Sequence, residues 1–390
     1  MKIDFLKILD KYIGFVVCLV LTFLSKLFGF GKTPVRKENI KKTLAMKFLG
    51  LGSILLLSPT IKEFRKTYPD SKLVFLTLNR NKEICESLKL FDEVITVNID
   101  KGWLVFSQTF LRVLLYFWRE RFDLVLDFEF FTRFSSIVAF LTFAKVKIGY
   151  HAWETWRGDI HSVNVPFNRY WHIMDNFYNL GIHIGLDKQV QLKIVKPFVE
   201  AADRDVVAKL LKEAGVKDGY IAVHVNASDL SVERIWPAGN FIRLIGKILN
   251  KYDLNVVFIG SKADQSVVGG ICRRIAHPRA VDLSGKTSIR QLAALFENSK
   301  LVISNDGGPL HLAVAMEAPT VSFFGPETPL IYGPRGAQHA VFFKNIECSP
   351  CINVHDRKSV RCYWTLPKCM EAITVEEVFD IVEKKLAISQ

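Results

Sequence analysis

The chain has 390 residues, 49% hydrophobic and 23% charged, so it can build two ordinary domains and is too apolar to be intrinsically disordered. A formal net charge of +13 suits an anionic partner, such as lipid or a phosphorylated substrate, and the lack of any zinc-finger, RNA-recognition or KH signature sets nucleic acid aside. The seven cysteines are odd in number and unevenly spread, and no small-residue cleavage site follows the first apolar run, which argues against a disulfide-stapled secreted domain and for a reducing cytoplasmic compartment.

Residues 1–42 stand apart. The uncharged run Tyr12–Ser25 is about 14 residues long, short of the roughly 20 needed to cross a bilayer. Lys7 and Lys11 precede it; Lys26, Lys32, Arg36, Lys37, Lys41 and Lys42 follow. An apolar helix between cationic flanks suits a peripheral or monotopic anchor on the anionic lipid of an inner membrane, seen from the cytoplasm; the alternative is a helix buried on the protein body.

From Thr43 the pattern alternates. Residues 43–50, 72–78 and 93–98 read as strands, separated by helices over 52–69 and 80–90. Trp103–Arg121 reads as helix, residues 122–129 as a strand leading into a helix at Phe131–Phe143, and residues 145–150 as a further strand. Short apolar strands between helices predict βαβ units and a parallel sheet. Residues 151–195 are aromatic and irregular. A helix at Lys196–Gly215 opens a second alternating series that runs through a strand at residues 319–325. The expected organisation is an α/β chain with a membrane-associated segment at 1–42 and Rossmann-like domains at 43–195 and 196–390, with ligands bound in a cleft between them.

The sharpest local signal is Ser304-Asn305-Asp306-Gly307-Gly308-Pro309-Leu310-His311. An apolar strand ends in polar residues, glycines allow close approach of a ligand, and Pro309 suits the first position of a helix. Free N–H groups at that terminus form a site for a diphosphate, with His311 one turn in. An ordinary turn capped by Asp306 explains the same shape.

The wider stretch from Ser284 to Pro329 resembles the nucleotide-binding core of the heptosyltransferases, glycosyltransferase family 9. The Asn-Asp-Gly-Gly-Pro-Leu-His run and the Phe324-Gly325-Pro326 that follows carry the likeness. Arg234, two positions before Trp236-Pro237, takes the place of the family's phosphate contact, and Asp264 that of its ribose-binding acid. The resemblance implies a GT-B fold, an activated-sugar donor that is usually ADP-heptose, a lipopolysaccharide-core acceptor, and inversion without a catalytic metal. Under that reading Arg234 and the amides of Gly307 and Gly308 stabilise the charge on the departing diphosphate, while Asp306 takes hydrogen bonds from sugar hydroxyls or caps the helix.

Family members carry an Asp in the first glycine loop, where this chain has Gly50-Leu51-Gly52-Ser53. A substitute base is expected at the end of the 122–129 strand: Glu129 first, then Asp127, two apart and on one side if the strand continues. The alternative is that Asp127 caps the next helix and Glu129 pairs with Arg133. The basic and aromatic run from His151 to His172, with Trp153, Trp156, Arg157, His161, Arg169 and Trp171, reads either as an acceptor-binding loop or as a linker with buried aromatics. Cys348, Cys351, Cys362 and Cys369 open with a C-x2-C spacing and could hold a structural zinc, although the second pair is spaced more widely than usual. Two other functions remain open: an inactive sugar-nucleotide-binding protein of envelope polysaccharide assembly, and a sugar-nucleotide epimerase.

Overall fold

A computed structural model describes residues 3–27, 40–151, 155–217, 219–227, 232–352 and 361–388; Lys32, Arg36, Lys37 and Trp153 lie outside these. The chain forms two compact units, one spanning Met1–Val195 and the other beginning at Lys196.

In the first unit, helix α1 (Ile3–Leu27) precedes strand β1 (Lys42–Met46) and helix α2 (Leu51–Thr67). Then come β2 (Lys72–Leu78), α3 (Lys82–Ser87), β3 (Glu93–Val97), α4 (Trp103–Glu120), β4 (Leu124–Asp127), α5 (Arg133–Leu141), β5 (Val146–His151), β6 (Val163–Pro166) and α6 (Ile173–Ile182). The strands pair in parallel in the order β3-β2-β1-β4-β5-β6. Helices cover both faces of a parallel sheet, so its strands read as continuous apolar runs: in β2 every residue after Lys72 is buried.

The second unit runs α7 (Ala201–Glu213), β7 (Tyr220–His224), α8 (Ala238–Lys251), β8 (Val256–Ile259), α9 (Gln265–Ile275), β9 (Ala280–Asp282), α10 (Ile289–Glu297) and β10 (Ser299–Asn305). It continues through α11 (Gly308–Ala315), β11 (Thr320–Phe324), α12 (Pro329–Tyr332), β12 (His339–Phe343), α13 (Lys368–Glu371) and α14 (Val375–Ile388). Its sheet is also parallel, in the order β12-β11-β10-β7-β8-β9. In each sheet the strand order reverses beside the first strand: between β1 and β4, and between β7 and β10. Crevices outside the carboxyl ends of strands at such points are where open α/β sheets take ligands.

Local features follow from the sequence. Gly50 takes φ +87 ahead of α2, a conformation that side chains disfavour. Pro59 inside α2 cannot donate to the carbonyl of Leu55, and the Ser58 hydroxyl donates to that oxygen instead, at 2.6 Å. In the second unit Trp236 is fully buried, stacks on Phe323 at 4.5 Å and meets Phe241 edge-on at 5.0 Å. The inner face of α14 completes this core with Val375, Val378, Val382 and Leu386.

Helix α1 is longer than its uncharged run and packs on α5. It turns Gly14, Cys18, Thr22 and Ser25 inward and leaves Tyr12, Ile13, Val16, Leu19 and Phe23 exposed. By length and composition, Phe5–Leu27 would suffice to cross a membrane. The segment read as irregular, 151–195, contains β6 and α6. Strand β6 is short and ends in Pro166, and α6 holds a glycine and few strong helix formers, so neither shows a clear period.

Candidate active site

The second unit gathers several chemistry-bearing residues where β7 and β10 diverge. Asn305, fully buried at the end of β10, donates through Nδ2 to the carbonyls of Val225 (2.9 Å) and Asn226 (3.2 Å) and accepts the Trp236 N–H at 2.9 Å. The segments following the two strands are thereby tied together. Trp236 is anchored in the core and by its indole N–H to the Ile373 carbonyl at 3.0 Å. That anchor fixes the backbone that carries Arg234.

Arg234 and Asp306 form a buried ion pair, Nη1 to Oδ2 at 2.9 Å, and His311 Nε2 lies 3.8 Å from the other Asp306 oxygen. Removing one partner of a buried pair leaves an uncompensated charge, so these groups are mutually dependent. Asp306 does not cap α11 through its side chain: the N-cap position is Gly307, at φ 169, which is extended backbone. A side chain at Gly307 would meet nothing of the protein closer than Pro309 Cδ at 3.9 Å. The first intrahelical bond of α11 is His311 N–H to Gly307 C=O, 3.4 Å, so the amides of Gly307, Gly308 and Leu310 precede it. A guanidinium beside a helix N-terminus makes an anion-binding arrangement.

Asp264 follows β8. Its carboxylate accepts the Ser261 N–H (2.6 Å) and hydroxyl (2.8 Å) and the Asn226 side-chain amide. Burial opposes its charge, but these hydrogen bonds prevail and hold the carboxyl below the usual range. His224, at the end of β7, is pushed down to about 4 by burial, against the pull of Asp264, and is neutral at pH 7. Its Nδ1 lies 3.4 Å from the Ser304 hydroxyl. Asn226 and His224 are not singled out from sequence, and Asn305 has no role of its own there. Polar residues ending apolar strands were the available signal.

In the first unit, the reversal point lies between Lys47–Gly50 and Asp127–Glu129, where the two acids expected to supply a base sit. Glu129 is wholly buried. One carboxylate oxygen accepts the N–H groups of Phe48 and Leu49, both at 2.8 Å, and the other meets Lys47 Nζ at 2.8 Å. Asp127 is also wholly buried, paired with Arg157 and hydrogen-bonded by the Ser135 hydroxyl (3.1 Å), the Glu129 N–H (3.1 Å) and His161 Nε2 (3.2 Å). Burial opposes the Asp127 charge, yet Arg157 and His161 outweigh it and lower its pKa. Burial lowers the His161 pKa despite that carboxylate. Both acids are buried and charge-matched, an arrangement that holds the strand ends together. Arg133 does not pair with Glu129 as the alternative reading had it; it lies over the Phe15 ring at 5.6 Å.

The same network takes up part of the basic and aromatic run at residues 151–172. Arg157 and His161 are buried on Asp127, Trp156 meets Phe15 at 5.3 Å, and the His172 ring caps α6 by accepting the Met174 N–H. Arg169, Tyr170 and Trp171 face outward, with Tyr170 71% exposed.

Cys348 and Cys351 are exposed, Cys362 is half-buried and Cys369 is buried. Burial, then the neighbouring thiols, raises Cys369 to about 11 and pushes Cys351 upward. The four therefore share one neighbourhood. Their chemistry suits zinc, but among the described residues no three potential ligands converge as a metal would require.

The description of glycosyltransferase family 9 (heptosyltransferase) matches residues 116–361. The lipopolysaccharide core heptosyltransferase OpsX of Haemophilus influenzae is 21% identical over 323 residues, covering 77% of this chain and 84% of that protein. Among solved structures, the glycosyl transferase family 9 protein of Veillonella parvula superposes with a TM-score of 0.75 at 20% identity, over 91% of this chain and 99% of its own. The ADP-heptose lps heptosyltransferase II of E. coli gives 0.70 at 15% identity, over 89% and 98%. These likenesses bear out the expected fold, two Rossmann-like domains of the GT-B type. Since the family description covers well over half of the sequence, the chain belongs to glycosyltransferase family 9, the heptosyltransferases, and is a glycosyltransferase.

Proposed function

We propose that the protein transfers heptose from ADP-heptose, with inversion and without a catalytic metal, to a lipopolysaccharide-core or related envelope acceptor at the cytoplasmic face of the inner membrane. The observation that carries this is the grouping of Arg234, Asp306, His311 and the leading amides of α11 at the β7/β10 reversal point. The departing ADP gains negative charge as the sugar becomes cation-like, and fixed donors aimed at that charge lower the barrier without a metal. Arg234 and the Gly307 and Gly308 amides take the diphosphate. The guanidinium fork serves a phosphate oxygen while keeping Asp306. Asp306 and His311 orient sugar hydroxyls, and Asp264, held by Ser261 and Asn226, accepts the ribose hydroxyls.

Three further observations support the rest of this reading. The E. coli structure is named for its ADP-heptose donor and the Haemophilus protein for its lipopolysaccharide core. The outward apolar face of α1 supports a peripheral membrane location. The shared neighbourhood of the four thiols favours a structural zinc in the tail only if the ion draws them together, since no three converge among the described residues; elemental analysis reading one zinc per chain, lost on Cys348→Ser, would bear this out and a metal-free protein would remove it.

A donor screen tests the core of the proposal: ADP-heptose against UDP-, GDP- and ADP-hexoses, read by thermal shift and by nucleoside diphosphate release with and without lipid-core acceptor, in EDTA. ADP-heptose alone should shift the melting temperature and release ADP only with acceptor, and the product anomer, read by NMR, should be inverted. Release that needs a divalent ion, or a shift with another donor only, overturns it.

A further inference from the structure

Helix α4 is built inside out for a helix meeting water. Its outward stripe is Leu104, Leu111, Leu115 and Trp118, with Gln108 between, at the spacing of one helical face. Leu104 is 81% exposed, and Leu111 and Leu115 are 55% exposed. Its inward residues Val113 and Phe117 are buried in the same core as β1–β4, so the stripe is surplus to what the fold needs. Arg112 and Arg119 flank the stripe, and Arg121 follows it. The one acidic residue of the helix, Glu120, is held by Lys42 and Lys72 at 3.1 and 3.3 Å. The outward face therefore carries apolar groups and cations.

Helix α4 is also continuous with α1 through α5. Phe5 meets Trp103 at 6.3 Å, Phe106 and Phe110 pack on Phe134, and Trp118 donates its indole N–H to the Leu141 carbonyl at 3.0 Å. Beyond α5, the exposed Phe143 lies 6.4 Å from the Trp118 ring. Helix α1 is fastened along its length: Asp10 accepts the Phe134 N–H, Phe15 meets Trp156, and Thr22 accepts the Asp159 N–H. A helix pinned to the domain at these points lies on its surface and does not stand off as a span.

We infer that α4 and Phe143 join α1 in one composite surface that seats the first unit on an anionic bilayer. Apolar side chains enter the acyl boundary, and Arg112, Arg119, Arg121, Lys11 and Lys26 meet the headgroups. The inference rests on the peripheral-membrane reading and adds a second element to it.

The experiment is flotation of the full chain with vesicles of phosphatidylethanolamine and phosphatidylglycerol, beside vesicles of phosphatidylcholine alone. The wild type should float with the anionic vesicles and at least tenfold less with the neutral ones. Leu104→Asp/Leu111→Asp/Leu115→Asp, with α1 intact and circular dichroism unchanged, should lose at least tenfold in partition. Brominated lipid should quench wild-type fluorescence more than that of Trp118→Phe, a conservative variant that covers the event of the triple variant misfolding. A wild type that does not float removes the membrane reading itself. A wild type that floats, with a folded triple variant that floats equally or with no quenching difference at Trp118, overturns the α4 inference alone. So does a dimer lost in the triple variant while its flotation is unchanged.

Discussion

At the residue scale, the arginine–aspartate pair at the β7/β10 reversal point makes sharp demands. Arg234→Ala removes the proposed phosphate donor and strands a buried carboxylate. We expect kcat/KM to fall about 10²–10³-fold, in the range seen on losing one preorganised donor, together with a lower melting temperature. Arg234→Lys keeps the charge but loses the fork, so it should recover stability more than rate. Equal losses in both variants would mean that charge, not geometry, is what the site uses. Gly307 gives the complementary test. Its extended backbone and open surroundings accept a methyl group, so Gly307→Ala should change stability by no more than about 0.5 kcal/mol. If the glycine is there for a ligand to approach the backbone, ADP should bind at least about tenfold more weakly by calorimetry. Unchanged affinity would place the diphosphate elsewhere.

At the element scale, Glu129 shows how a strand end can hold a loop in place. It clamps the backbone from Lys47 to Leu49, the approach to α2, and its charge is met by Lys47. Glu129→Gln should cost about 3–5 kcal/mol, the usual penalty for leaving a buried charge unmatched, measured by denaturant unfolding. Specific activity per folded molecule and its pH profile should stay as in the wild type. A loss of the basic limb of the kcat profile at full stability would restore Glu129 as the proton acceptor. The sequence places the two acids at one strand end and does not show what meets them. Their partners Lys47, Arg157 and His161 are distant in sequence from at least one of them, and no local pattern announced the pairing.

At the scale of the whole molecule, buried titrating groups set the acid limit. His224 and His339 are lowered to about 4 by burial, and His161 is lowered as well. A group lowered in the folded state contributes stability above its unfolded pKa, about 6.5 for histidine, and that contribution is lost as pH falls toward the folded value. Asp127, lowered below about 3.9, adds a second loss at still lower pH. Scanning calorimetry should therefore show the melting temperature falling from about pH 6.5 downward, with a shallower slope in His224→Gln. A flat profile down to pH 4.5 would contradict the burial of these rings.

The sequence by itself determined the two parallel α/β series, because strands covered on both faces must be apolar throughout and the helices between them keep their own period. It also determined the strand–turn–helix from Asn305 to His311, since these residues are consecutive and their geometry is local. Only the tertiary structure decided which charges are spent on the fold. Asp127 with Arg157, Glu129 with Lys47 and Arg234 with Asp306 are pairs made by crossing 30, 82 and 72 residues of chain, and desolvation is the reason each carboxylate has a partner. The same holds for α1 and α4: their apolar content was legible, but the direction each face points follows from which side the sheet leaves uncovered.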